Sequence, residues 1–229
     1  MRRNLITLAV IGLLVIGYMG WQVGGFSGGH ISQAASTVTL AASDQSTSSS
    51  SVEAERPFSW YIVRSSGFLA YFALFIIVAF GLIMSGKIAT KRIHRFTITQ
   101  LHCWLSWTML FLVAVHMIFL LFDKFIPFTI PQLLIPFLAT FKPANVAFGI
   151  VAFYLLVAVV VSTRYMKWLP KVYWRLIHQS SFVAFAFVSL HGYFTGTDSH
   201  TIWAKLLYGI AGGIVVFLIG FRIFGKVNR

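Results

Sequence analysis

From Ile98 to Phe122 the chain reads ITQLHCWLSWTMLFLVAVHMIFLLF, without one formally charged side chain at neutral pH. A helix needs about 20 predominantly apolar residues to cross the hydrocarbon core of a bilayer. Five further runs of this kind lie at 5–23, 60–85, 145–162, 176–195 and 202–221. Lipid offers the backbone no hydrogen-bonding partner, so spanning segments are helices or strands of a closed barrel. These runs are continuous rather than alternating, which selects helices. Charged residues make up only 10% of the chain, against roughly 25% in a soluble domain. The expected fold class is an all-α, multi-pass membrane protein, a bundle of six transmembrane helices in a cell membrane.

The net charge of +13 raises the question of a nucleic-acid partner, and the placement of the charge answers it. With the N-terminus inside, the inner loops and ends collect 13 of the 18 Lys and Arg residues, among them Arg2, Arg3, Arg92, Arg95, Arg164, Lys167 and Arg175. The outer side holds only Arg56, Arg64, Lys124, Lys142 and Lys205. That is the positive-inside bias, so the excess reports topology, with both termini cytoplasmic and no nucleic acid implied. Residues 1–26 are expected to form the first membrane helix, although Arg2-Arg3 followed by LITLAVIGLLVIGY also resembles a signal peptide's opening. Residues 27–59 contain SDQSTSSSSVEAERP, too polar to bury a core, and are expected to be a flexible outer linker. The membrane core occupies 60–225, and 226–229 form a short cytoplasmic tail. Cys103 is the single cysteine, which excludes an intrachain disulfide and a cysteine-held cluster.

Four of the seven histidines fall inside spans: His102 and His116 in the third, His178 and His191 in the fifth. Both spans run from inside to outside, so His102 and His178 share an inner level. His116 and His191 share an outer one, roughly 20 Å further along at a rise of about 1.5 Å per residue. A lone intramembrane histidine usually bonds a neighbouring helix. Four at matched depths point to a function, because ionisable groups in lipid are costly. Metal-ion or proton transport normally pairs histidine with carboxylates. All five acids (Asp44, Glu53, Glu55, Asp123 and Asp198) lie outside the spans, which disfavours transport. Two b-type haems stacked across the membrane, each held by one histidine from each helix, would use all four imidazoles. An iron ligated on both axial faces has no open site and suits electron transfer. The aromatic load, with 23 Phe, suits a wide apolar slot.

The spacings are not equivalent. Fourteen residues rotate to within about 40° of whole turns, whereas thirteen leave about 140°. The fifth helix is therefore expected to tilt or distort between His178 and His191, with Ser180, Ser181 and Ser189 available to bond back to its carbonyls.

The stretches RSSGFLAY, VAFYLLVAVVVSTRYM and YWRLIHQSSFVAFAFVSLHGYFTGTD, with the paired histidines, resemble the ferric reductase-like transmembrane domain. This is the membrane core shared by ferric reductases and NADPH oxidases, and the resemblance covers roughly 60–224. It implies two haem b groups, ligated by His102 with His178 and by His116 with His191, stacked between the third and fifth helices. It also implies that Arg64 approaches a propionate of the outer haem, while Arg92, Arg95 and Arg175 are candidates for the inner propionates. The implied role is electron transfer from a cytoplasmic or membrane donor to an outer acceptor, ferric iron or a partner protein. Two departures qualify it. The chain stops at FRIFGKVNR, where the fused relatives continue into a flavin- and nicotinamide-binding region, so a separate flavoprotein or a membrane quinol is the expected donor. Leu120 stands four residues after His116, where the oxidases carry a histidine. The haem subunit of the methionine sulfoxide reductase system is a second short member with a compatible WRLIHQ, and is the alternative.

Three lesser expectations complete the reading. Gly209 and Gly213 form a GxxxG helix-packing face. Trp104, Trp107, Met109 and Phe185 are packing residues. The proline-punctuated FIPFTIPQLLIPFLATF is either a roof over the outer site or an ordinary interfacial loop.

Overall fold

The computed structural model of the chain describes residues 58–85, 95–124 and 126–224, and the regular structure among them is entirely helical. In chain order the elements are α1 (Phe58–Ser85), α2 (Arg95–Leu120), α3 (Ile130–Leu134), α4 (Pro143–Arg164), α5 (Lys171–Thr195) and α6 (Ile202–Phe224). The expected first span, most of the linker and the loop carrying Arg92 lie outside the described residues, and Arg95 is placed by its backbone alone. Phe58 and Ser59, assigned to the linker from sequence, instead form the first turn of α1.

Among the described residues four helices are long and apolar enough to cross a membrane: α1, α2 from Phe96, α4 and α6. The fifth expected span, 176–195, lies within the 25-residue α5. At about 1.5 Å per residue that helix has the length, but Lys171, Arg175, two imidazoles, Gln179 and three serines make it less apolar than the others. Proline marks three helix starts, Pro131 lying in the first turn of α3. Pro143 occupies the first turn of α4, where its missing N–H costs nothing, and Pro170 leads extended backbone into α5.

The closest packing is between α1 and α2 and between α4 and α5. Both pairs are antiparallel: His116, late in α2, meets Val63, early in α1, and His191, late in α5, meets Asn145, early in α4. Lighter contacts tie α1 to α5 and α6, α2 to α4, and α5 to α6. The two histidine-bearing helices, α2 and α5, are not among the closely packed pairs. At mid-height the centre is filled by Leu74, Met109, Ala184 and Phe185, with Tyr71 stacked on Phe185 at 5.8 Å and against Tyr208 at 4.8 Å. Ser189 Oγ lies 3.3 Å from the Tyr71 hydroxyl.

Met109 and Phe185 are thus core residues, as expected. Trp104 and Trp107 are not: they are 71% and 55% exposed on the outward side of α2. Large apolar side chains facing outward gain nothing by burial when the surrounding solvent is lipid. The GxxxG pair finds no packing partner among the described residues, where a Cβ added at Gly209 or Gly213 would meet nothing within 4 Å.

Candidate functional site

The gap between α2 and α5 is bridged by imidazoles. At the inner level the rings of His102 and His178 face each other with centroids 6.1 Å apart and planes inclined at 45°. An imidazole nitrogen binds a metal at about 2 Å, and the ring centre lies about 1 Å behind that nitrogen, so two trans ligands on one ion have centroids roughly 6 Å apart. The observed separation is close to that value. Trp174, one turn before His178, stacks on its ring at 5.2 Å and 24°. The Trp174 indole N–H reaches Thr163 Oγ1 of α4 at 3.4 Å. The Nδ1 atoms of His102 and His178 are buried and make no hydrogen bond among the described residues.

The outer level is built differently. His116 Nδ1 lies 2.9 Å from the Val63 carbonyl oxygen, and His191 Nδ1 lies 2.9 Å from that of Asn145. A carbonyl only accepts, so each Nδ1 carries the proton and each Nε2 keeps a lone pair. Metal-bound histidines characteristically donate their second ring N–H in this way, which fixes ring orientation and raises ligand basicity. Both rings line one cavity of about 550 Å³ whose wall is drawn from all six helices. Cofactor sites typically span 300–1,000 Å³ with apolar walls and few polar groups. The cavity floor is Leu74 and Met109, and Leu120 is part of the wall.

At the cavity mouth Arg64 forms an ion pair with Asp198, and its guanidinium carbon lies 3.8 Å from the centre of the Trp60 ring. Arg64 therefore stands where a carboxylate at the edge of a bound group would meet it, and Asp198 is its carboxylate partner here. The segment from Ile126 to Phe141 contributes Ile126, Phe128, Leu133 and Phe141 to the same wall, so it roofs the outer level. It is pinned in two places. Tyr154 donates to the Leu134 carbonyl at 2.8 Å, and Lys142 Nζ donates to the Phe194 carbonyl at 2.7 Å. Lys142 itself adopts a left-handed backbone, with φ of 41°, which turns the roof into α4.

The structure sets the His102 and His178 rings 6.1 Å apart and places His116, His191 and Arg64 on the wall of one cavity. Arg175, a candidate for the inner propionates, lies one turn into α5 and is exposed. The expected distortion of α5 is absent as a change of helix type: the helix is α throughout. Ser180 and Ser189 do bond back, to the Ile177 and Phe185 carbonyls. Sequence reasoning missed Asp198, Trp174 and the two carbonyl acceptors; main-chain atoms leave no trace in residue identity. No cluster of three or more His, Cys, Asp or Glu side chains suited to a metal ion occurs among the described residues, so the donors on offer are imidazole pairs. Compared with family models, curated proteins and solved structures, the chain matches none.

Proposed function

We propose that the chain is a six-helix, di-haem b-type membrane protein of the ferric reductase-like kind that carries electrons between an inner donor and an outer acceptor. The observation that carries this reading is the pairing of four imidazoles across the α2–α5 gap. His102 and His178, 6.1 Å apart, would hold one haem, and His116 and His191, oriented by main-chain carbonyls with Nε2 left to bind, would hold the other. When bound, haem iron supplies one-electron redox chemistry, with axial imidazoles and surroundings setting its potential.

The remaining work falls to the chain's own residues. His102 with His178 and His116 with His191 hold the two levels roughly 20 Å apart. Val63 and Asn145 carbonyls keep the outer rings in one tautomer. Leu74, Met109 and Phe185 close the middle of the bundle against water. Arg64 offers a guanidinium to a carboxylate at the outer rim, a strong pairing when bidentate. Ferric iron or a partner protein is the proposed acceptor, and a separate flavoprotein or a quinol the proposed donor.

The test is electron passage across a sealed membrane. Full-length protein in liposomes loaded with a ferric chelate should reduce it when a membrane-impermeant reductant is added to the inner face. His102→Ala and His191→Ala, one at each level, should each abolish passage. Equal passage in wild type and both variants would sink the reading.

A further inference from the structure

Resting on the di-haem reading, we infer that Gly67, Gly149 and, more loosely, Gly81 are positioning residues, each forming with the carbonyl four residues earlier a seat for one haem-ligating imidazole. The pattern repeats in two different helices. In α1 the Val63 carbonyl holds His116, and a Cβ at Gly67 would lie 3.2 Å from that ring's Nδ1. In α4 the Asn145 carbonyl holds His191, and a Cβ at Gly149 would lie 2.7 Å from its Nδ1. A third seat follows in α1, where Ile77 and Gly81 face His102. There the Ile77 carbonyl interacts with the ring without a hydrogen bond of full geometry, and a Cβ at Gly81 would stand 3.6 Å from Cε1.

The spacing has a physical cause. In an α-helix the carbonyl of residue i already accepts the N–H of residue i+4 and keeps a second lone pair. A side chain leans toward the helix N-terminus and covers the turn before its own Cα. A residue with a side chain at i+4 therefore shields that lone pair, and glycine uncovers it. An imidazole from the next helix can then approach edge-on. Gly67 and Gly81 are separated by the same fourteen residues as His102 and His116, so the antiparallel α1–α2 pair carries the seat at both levels. His178 has no glycine seat and rests on Trp174 instead.

The experiment compares Gly149→Ala, Gly67→Ala, Gly81→Ala and, as the control for adding a methyl to a helical glycine, Gly209→Ala, whose Cβ would enter open space. Haem content and low-temperature spin-resonance signals of each full-length protein are read separately for the two levels. Gly149→Ala should weaken retention at the outer level by about tenfold or more, the range in which losing an outer-shell partner acts, with the inner signal kept. Gly67→Ala should keep the outer haem but shift its signal, and Gly81→Ala should move only the inner signal, by less. Gly209→Ala should match wild type. Outer signals superimposable on wild type in both Gly149→Ala and Gly67→Ala would overturn the inference while leaving the di-haem reading intact. If Gly149→Ala does not fold, Gly67→Ala decides: an outer shift alone supports the seat, and equal loss at both levels overturns it. A colourless wild type ends the di-haem reading and this inference together.

Discussion

The two levels use the same residue type and hold it by different means. At the outer level each imidazole is tethered through Nδ1 to a main-chain carbonyl and lines a large apolar cavity. At the inner level neither Nδ1 has a hydrogen bond of full geometry among the described residues: His178 stacks on Trp174, and His102 lies tilted across from His178 beside Gly81. A tether to backbone tolerates exchange of the side chain that bears the carbonyl. A ring held by another ring depends on that neighbour's identity. Sensitivity to side-chain substitution should therefore be concentrated around the inner level, apart from the glycine seats and the rim.

The largest effects should come from the ligands themselves. His116→Ala or His191→Ala should remove the outer haem and leave the inner signal, and His102→Ala or His178→Ala the reverse, so haem falls from about two per chain to about one. Quantitation of extracted haem with the two spin-resonance signals checks this, and loss of both signals from each variant would break the assignment of separate levels. Next in size is Trp174→Ala. An aromatic contact contributes about 0.5–1.5 kcal/mol, so inner retention should weaken roughly 2- to 10-fold, measured by competition with a haem-scavenging apoprotein, with the outer level unmoved. Arg64→Gln removes the Asp198 pair and the contact with Trp60. The pair is part-buried, so outer retention should fall several-fold, and added salt should narrow the difference from wild type only weakly. The smallest effect sharpens the comparison most. Asn145→Ala keeps the carbonyl that His191 uses, and its outer signal should coincide with that of wild type.

Much of this was legible in the chain. Uninterrupted apolar runs specify helices because lipid leaves the backbone no other partner, and four of the runs appear as helices long and apolar enough to span. The histidine pairs were legible because imidazoles are costly among such residues and recur at matched depths. What could not be read depended on atoms that residue identity does not encode. The Val63 and Asn145 carbonyls are main-chain acceptors, and Asp198 reaches Arg64 only through the fold. Trp104 and Trp107 misled because apolar character marks both core and lipid-facing surface in a membrane chain, and only the packed helices tell them apart. Gly209 and Gly213 meet no neighbour among the described residues: a small-residue spacing allows close approach without requiring it. The spacing of Gly67 and Gly81 matched the histidines of the next helix, a signal visible in the chain once the antiparallel register is known.

The central claim is that two imidazole pairs at separate heights each hold one iron porphyrin, and the haem stoichiometry of the purified full chain tests it most directly. Expressed with ample haem supply, the protein should carry about two low-spin b-type haems with two distinct spin-resonance signals. Folded, monodisperse protein that carries no haem, or one haem that survives alanine at all four histidines, would contradict it.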